Sequence, residues 1–328
     1  MNNNILVSII ITTYNRSHHL IKILECLKKN YFNFKQFEII VCDSCSKDFT
    51  EIKVSTFKAS HSYLKITYLK TYKNLNSVKR NFGLSKACGK FVIFLDDDCY
   101  PANDYIKNFY YVLTKKSSKN IIYCGSVKYP KHLMKKKFVQ YRQSRHFIID
   151  KKFYTLNNEI GPERIVTMNM AFARNNFFFN NKLFNEKFNV YGFEDYEFAY
   201  RMKKNNFKFI ACHPLIYHYD NRNFFLYLKK IEFLGFESMK YLIKINFSAA
   251  KENNFYKLEK NFFIKNLLKI KSLIFFLIIL RNLIIKYENT KIFHPFLYKI
   301  SIISAYLIGY MRRNKYLSRD YLNNKWYR

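Results

Sequence analysis

The chain has 328 residues, with 57 Lys and Arg against 23 Asp and Glu and a formal net charge of +34. Hydrophobic residues make up 49% and charged residues 24%, which excludes wholesale disorder; seven glycines and five prolines exclude a collagenous or low-complexity chain. The length suits one large domain with an appendage, or two domains. A pI near 9.8 fits anionic partners (nucleic acid, lipid, substrate), but equally a compositional bias that raises Lys, Asn, Ile, Phe and Tyr everywhere. The aromatic residues run along the whole chain, which favours core packing over base-stacking platforms.

Seven cysteines are an odd number with no repeated spacing. The apolar run Ile5 to Ile11 has neither a preceding basic segment nor a following small-residue cleavage site, so a reduced, cytoplasmic chain is expected. Cys42 and Cys45 form a CxxC after a strand-like run, but no second pair completes a zinc site and the next helix is poorly signalled for a redox motif.

In chain order, Leu6 to Ile11 predicts a buried strand, and residues 17–29 a helix with Leu20, Ile23, Leu24 and Leu27 on one face and Ser17 as cap. Strands are predicted at Phe37–Val41, Leu64–Leu69, Phe91–Leu95 and Ile121–Cys124, with helices over 76–87 and 102–113. Residues 128–165 are expected to be a basic, loop-rich crossover. A strand at Ile165–Ala173, a helix over 194–204 and strands at Phe207–Ala211 and Leu215–Tyr219 follow. This alternation predicts an α/β fold with a doubly wound, mostly parallel sheet, whose ligands sit at the carboxyl ends of the strands.

The residues at those ends are informative. Asp96, Asp97 and Asp98 directly follow a strand, and three adjacent carboxylates repel one another unless a cation joins them. Hard oxygen ligands suit Mg²⁺ or Mn²⁺, and in an extended segment Asp96 and Asp98 share a face. An acidic loop capping the next helix is the plainer alternative. Tyr14 and Asn15 follow the first strand and Asp43 ends the second, while Lys79, Arg80 and Asn81 precede the fourth. Tyr14 can stack on a base, Asp43 can accept from a ring N–H, and Arg80 can pair with phosphate. Farther on, Glu194 and Asp195 open a helix, where the dipole favours anions and a carboxylate can serve as a general base. His218 ends a strand-like run and is a candidate metal ligand, although a lone His is more often structural.

Taken together, these segments resemble family 2 glycosyltransferases of the GT-A fold. The resemblance runs in order over residues 5–219: Val7 to Arg16, Glu38 to Asp48, Arg80 and Asn81, Gly89 to Asp98, Phe184 to Phe188, Gly192 to Glu197 with Arg201, and Tyr217–His218. It implies that Thr12, Tyr14, Asn15 and Asp43 bind the nucleotide, with Arg80, Asp96 and Asp97 around the ribose and diphosphate and Asn169 near the sugar. Asp98, with Asp96 and His218, would ligate Mn²⁺ or Mg²⁺; Asp195, beside Glu194, would deprotonate the acceptor. The implied reaction is inverting transfer from a nucleotide-diphosphate sugar, a UDP-sugar by expectation, to a cell-surface glycan or lipid-linked acceptor. Ser44 and Cys45 replace the usual Asp-Gly, and Asn180, Asn181 and Lys182 replace the usual glycines.

The expected organisation is a GT-A domain over 1–221 and a basic helical region over 222–328. Ser272–Ile285 and Ile300–Met311 are apolar but shorter than a membrane span, and they are flanked by Lys265, Lys269, Lys271, Lys286, Arg312, Arg313 and Lys315. Contact with an anionic membrane surface, at the inner face of the cytoplasmic membrane, is therefore expected. Two alternatives compete: a nucleotidyltransferase of similar fold, which needs a Gly-rich loop that Thr12 to Asn15 does not supply, and a basic nucleic-acid binder. Nucleic acid is not expected as a partner, because the strand-end carboxylates would repel phosphate.

Overall fold

A computed structural model describes residues 5–115, 120–149, 158–177, 182–220, 223–267, 269–288, 290 and 293–314. Asn180, Asn181 and Lys315 thus lie outside the described residues. The elements run β1 (Val7–Thr13), α1 (Ser17–Lys28), β2 (Phe37–Asp43), α2 (Thr50–Ser60), β3 (Lys65–Lys70), α3 (Asn76–Lys86), β4 (Phe91–Asp96), β5 (Cys99–Pro101), α4 (Tyr105–Lys115) and β6 (Ile121–Lys128). There follow α5 (Lys137–Gln143), β7 (Asn169–Ala173), α6 (Glu194–Lys204), β8 (Lys208–His218), α7 (Phe224–Phe233), a π-helical turn at Leu234–Ser238 and α8 (Met239–Ile245). The chain closes with α9 (Phe247–Glu252), α10 (Asn254–Lys260), α11 (Phe262–Leu267), α12 (Lys271–Tyr287) and α13 (Phe296–Arg313). Two compact units result: residues 1–130, 146–186 and 198–220 form the first, and residues 131–145, 187–197 and 221–328 the second.

The first unit is built on one eight-stranded sheet in the order β3-β2-β1-β4-β7-β6-β8-β5. Strands β3, β2, β1 and β4 are parallel. Strand β7 lies antiparallel between β4 and β6, β8 is parallel to β6, and β5 is antiparallel to β8. Both faces are covered, as a parallel sheet requires. On one face Val7, Ile9 and Ile11 pack with Leu20, Ile23, Leu24 and Leu27 of α1, the face foreseen from sequence. On the other, Ile10 joins Ile40, Phe94, Phe172, Phe184 and Phe198.

Gly83 sets how closely α3 approaches that second face: a Cβ there would lie 2.5 Å from Ile10 Cγ2 and 2.8 Å from Cys42 Sγ. Gly83→Ala is expected to cost about 1–3 kcal/mol through overpacking, read as a lower denaturant midpoint at unchanged slope. The same contact turns Cys42 into the core, while the Cys45 thiol donates to the Thr71 carbonyl at 3.4 Å, so the CxxC spacing does not make a redox pair; both thiols are free.

Several local expectations change. Helix α1 starts at Ser17 with Arg16 in the cap position; the Ser17 N–H donates to Asp48 Oδ2 at 3.0 Å, so the cap comes from the next loop. The two short strands expected over 207–219 are one strand, β8, because Gly125 pairs with Cys212 and Ser126 with Leu215, leaving His213 and Pro214 as a bulge where proline's missing N–H costs nothing. Within the loop-rich stretch 128–165 the described residues include α5 and a 3₁₀ turn at Pro162–Arg164.

The second unit is helical apart from its loops. Gly235 and Gly309 let α13 and the π-helical turn meet backbone to backbone: a Cβ on Gly235 would lie 2.2 Å from the Tyr306 carbonyl oxygen. Glu232, fully buried, pairs with Arg281 at 3.1 Å and Arg312 at 2.6 Å. Buried Glu259 accepts from the Tyr306 hydroxyl at 2.6 Å and from Arg313. Among the described residues, no helix is long and apolar enough to cross a membrane.

Candidate active site

The register of the parallel strands brings Thr12, Asp43 and Asp96 to one edge. Thr12 pairs with Cys42 on β2 and with Asp96 on β4, and Thr13 pairs with Asp43. The turns after β1 and β2 are laced together. The Asn15 N–H donates to Ser46 Oγ at 2.7 Å, and the Lys47 N–H donates to Asn15 Oδ1 at 2.7 Å. Asn15 holds φ 52°, the left-handed region that Asn tolerates. Asp43 is buried; it accepts from the Ser46 N–H and from the Tyr68 hydroxyl, each at 2.8 Å. Tyr14, directly after β1, is half-exposed.

The β4 end divides its acids among different partners. Buried Arg80 donates to Asp96 Oδ1 at 3.0 Å and lies over the Phe184 ring, 5.4 Å from its centre. Asp97 accepts from the Thr13 hydroxyl at 2.8 Å. One Arg16 nitrogen reaches both Asp97 Oδ1 at 2.8 Å and Asp98 Oδ2 at 2.7 Å. Asp98 Oδ1 faces His218 Nε2 at 3.4 Å. The chain turns at Asp97 and Asp98 instead of staying extended, so the expected common face of Asp96 and Asp98 does not form. Among the described residues, the group with ligand atoms within 4.8 Å of one another is Asp98, Cys99 and His218, all buried, without Asp96.

Electrostatics sharpen this division. Burial pushes Asp97 up to about 6, against the pull of Arg16. Burial also works against ionised Asp98, but His218 and Arg16 outweigh it and hold this carboxyl well below the usual range. Asp98 thus keeps its charge to a lower pH than Asp97. The donor set fits a divalent cation: one ionised carboxylate and one imidazole suit Mn²⁺ or Mg²⁺, with phosphate oxygens able to complete the shell. Cys99 does not suit a hard cation, since complete burial raises its thiol and keeps it protonated.

Lys79, Arg16 and Thr13 carry no assigned role in the sequence reading, yet they frame the site. Lys79 is buried and donates to the Thr13 carbonyl and to Asn74 Oδ1, each at 3.2 Å; burial pushes its ammonium down to about 8. The signal that could have found it is a charged residue on the inward face of α3. A folded value below the unfolded 10.5 means that the unfolded chain binds more protons between about 8 and 10.5. The stability of wild type relative to Lys79→Met is therefore expected to rise with pH across that window, as measured by urea unfolding at pH 7.5 and 10.

Two asparagines hold the scaffold. Asn169 accepts from the Tyr105 hydroxyl at 3.0 Å and donates to the carbonyls of Ser126 at 2.9 Å and Pro214 at 3.2 Å. Its amide is committed inside the sheet, and Asn169 pairs with Leu95, the residue before Asp96. Asn81 brackets Phe184 through its backbone N–H and carbonyl and donates to Glu186 Oε1 at 3.0 Å.

Glu194 and Asp195 belong to the second unit and open α6. Gly192 at φ 101° and Phe193 at φ 67° turn the chain into the helix, and the Gly192 N–H donates to Glu194 Oε2 at 2.9 Å. A Cβ at Gly192 would meet Leu234 Cδ2 at 2.2 Å, so both its conformation and its neighbour require glycine. Buried Glu197 accepts from Asn246 Nδ2 at 3.2 Å, and Ser238 Oγ donates to the Tyr191 carbonyl at 2.5 Å, which braces the turn.

In an open α/β sheet, the region beyond the carboxyl ends of the parallel strands, where these acids and the buried arginine gather, is where ligands bind. Residues 8–184 match the family described as Glycosyl transferase family 2, more than half of the chain, and the chain belongs to that family. It is 40% identical over 100 residues to UDP-Glc:alpha-D-GlcNAc-diphosphoundecaprenol beta-1,3-glucosyltransferase WfgD of Escherichia coli, covering 30% of this chain and 37% of that protein. It is 34% identical over 101 residues to poly(ribitol-phosphate) beta-N-acetylglucosaminyltransferase TarS of Staphylococcus aureus, covering 31% of this chain and 18% of that one. The matches thus span less than two-fifths of these relatives. The fold is that of mannosyltransferase PcManGT from Pyrobaculum calidifontis, solved with GDP-Man and Mn²⁺ (TM-score 0.54, 16% identity, 94% of this chain and 86% of that one). It is also that of TarS 1-349 solved with UDP-GlcNAc (TM-score 0.51, 15% identity, 95% and 92%). The GT-A architecture expected from sequence, with its C-terminal helical region, stands.

Proposed function

We propose that the chain is a metal-dependent, inverting glycosyltransferase that moves a sugar from a UDP-sugar to a hydroxyl of a cell-surface glycan or lipid-linked acceptor at the inner face of the cytoplasmic membrane. The observation that carries this reading is the convergence of Asp43, the Arg80–Asp96 pair and the Asp98–His218 pair at one sheet edge in a family 2 chain. The UDP preference is supported by the UDP-Glc of WfgD and the UDP-GlcNAc held by TarS; the GDP-Man held by PcManGT is the competing precedent. The lipid-linked acceptor rests on the undecaprenol-linked substrate of WfgD. In this reading residues 1–221 carry the chemistry and 222–328 the membrane-side region.

Each residue then has a duty. Tyr14 stacks on the base, and Asp43 accepts from its ring N–H within the turns that Asn15 pins and Thr12 backs. Arg80, Lys79 and Arg16 offset diphosphate charge, while Asp96 and Asp97 orient the ribose and these cations. Asp98 and His218 would hold a divalent cation, which when bound supplies positive charge against the departing diphosphate. Asp195 takes the acceptor proton as the acceptor oxygen bonds to the anomeric carbon and the bond to the diphosphate oxygen breaks; attack from the opposite face inverts that carbon. The test is incubation with a panel of UDP-, GDP- and dTDP-sugars plus Mn²⁺ and candidate acceptors, measuring released nucleotide. Release of UDP from a UDP-sugar is expected. Release of pyrophosphate from a nucleoside triphosphate instead would replace this reading with a nucleotidyltransferase.

A further inference from the structure

Helix α12 is apolar on both faces. Leu273, Leu277 and Ile278 pack toward Leu307 and Met311 of α13. The opposite face should be polar in a helix that water covers. Instead Phe275, Phe276, Ile279 and Leu283 are exposed, the first at 65%. The preceding helix α11 repeats the pattern, with Phe262 71% and Phe263 80% exposed. Spacing at i, i+1, i+4 and i+8 puts the four α12 residues on one stripe. So large a run of exposed apolar side chains marks a contact surface.

The charges around the stripe say what covers it. From Lys260 to Tyr287 the sequence holds six basic residues and no acidic one. Lys265, Lys269 and Lys286 are exposed. A second copy docking face to face would set this basic rim against itself, which opposes association. A surface that is apolar and negatively charged at once satisfies both features, and the interface of an anionic bilayer is such a surface.

We propose that α11 and α12 form an interfacial membrane anchor, with Phe262, Phe263, Phe275, Phe276, Ile279 and Leu283 entering the headgroup–acyl boundary and Lys265, Lys269 and Lys286 meeting anionic headgroups. The anchor deepens the transferase reading above by naming the surface on which a lipid-linked acceptor is met, and it rests on that reading only for its purpose. The test is cosedimentation of the full chain with vesicles of phosphatidylcholine alone and of phosphatidylcholine with phosphatidylglycerol. Binding to the anionic vesicles is expected, weakened by salt. Phe275→Ser with Phe276→Ser is expected to lower the partition by about tenfold or more, and Lys265→Glu with Lys269→Glu by about tenfold. Both are surface changes, and an unchanged thermal transition checks the fold.

No sedimentation of wild type with anionic vesicles overturns the proposal, as does wild-type partition in both variants. So does a dimer that the Phe275/Phe276 change dissociates without any vesicle binding. Titration of UDP with Mn²⁺ on the same samples separates the two readings. Nucleotide binding without vesicle binding removes only the anchor, and vesicle binding without nucleotide binding removes only the transferase reading.

Discussion

Asp98→Asn is expected to lower kcat/KM for sugar transfer by about a thousandfold at saturating Mn²⁺. The expected loss is electrostatic. Of the two buried acids that share Arg16, Asp98 holds its charge to the lower pH, because His218 faces its other oxygen at 3.4 Å. Asparagine keeps the shape and removes the charge that would hold the cation against the leaving diphosphate. Arg16 keeps its bond to Asp97 at 2.8 Å, so the loop after β1 retains an anchor and the loss of stability is expected to stay within about 1–3 kcal/mol. Two assays check this: steady-state transfer across a Mn²⁺ titration, and urea unfolding of the same variant. Activity within tenfold of wild type, with unchanged metal dependence, would contradict the assignment.

Asp195→Asn has the second largest expected effect, a fall in kcat of about 10² to 10⁴ with nucleotide affinity unchanged. Asp195 sits in the first turn of α6, where the helix dipole favours a negative charge. Its neighbour Glu194 is bonded to the Gly192 N–H and closes the turn. Glu194→Gln is accordingly expected to shift thermal stability more than kcat. The acidic limb of the kcat pH profile should vanish in Asp195→Asn and persist in Glu194→Gln. A persistent limb in Asp195→Asn would move the base elsewhere.

What the sequence made legible is what local pattern encodes. The apolar run of β1 and the spacing of Leu20, Ile23, Leu24 and Leu27 are short-range signals, and each predicted side chain is buried. Asp43 and Asp96 stand out because they interrupt such runs at strand ends, where open α/β sheets bind ligands. Long-range pairing leaves no such trace. Arg16 bonds Asp97, 81 positions away, and Asn81 bonds Phe184, 103 positions away. Strand β5 has three residues, too few for a period, and one is Pro101. The antiparallel run of β7 depends on where a strand inserts, between β4 and β6, which alternation does not state. For α12 the apolar stretch and its basic flanks are legible in the sequence, and contact with a membrane surface is expected from them; which side chains face outward depends on packing, and only the fold shows that Phe275 and Phe276 do.

The central claim is that the strand-end acids and arginines bind a nucleotide together with a divalent cation. Calorimetric titration of wild type and Asp98→Asn with UDP, GDP, dTDP and CMP, each with and without Mn²⁺, tests it most directly. The account predicts tight binding of UDP only when Mn²⁺ is present, and loss of that dependence in Asp98→Asn. Absence of binding for every nucleotide, or equal binding with and without metal in both proteins, would contradict it.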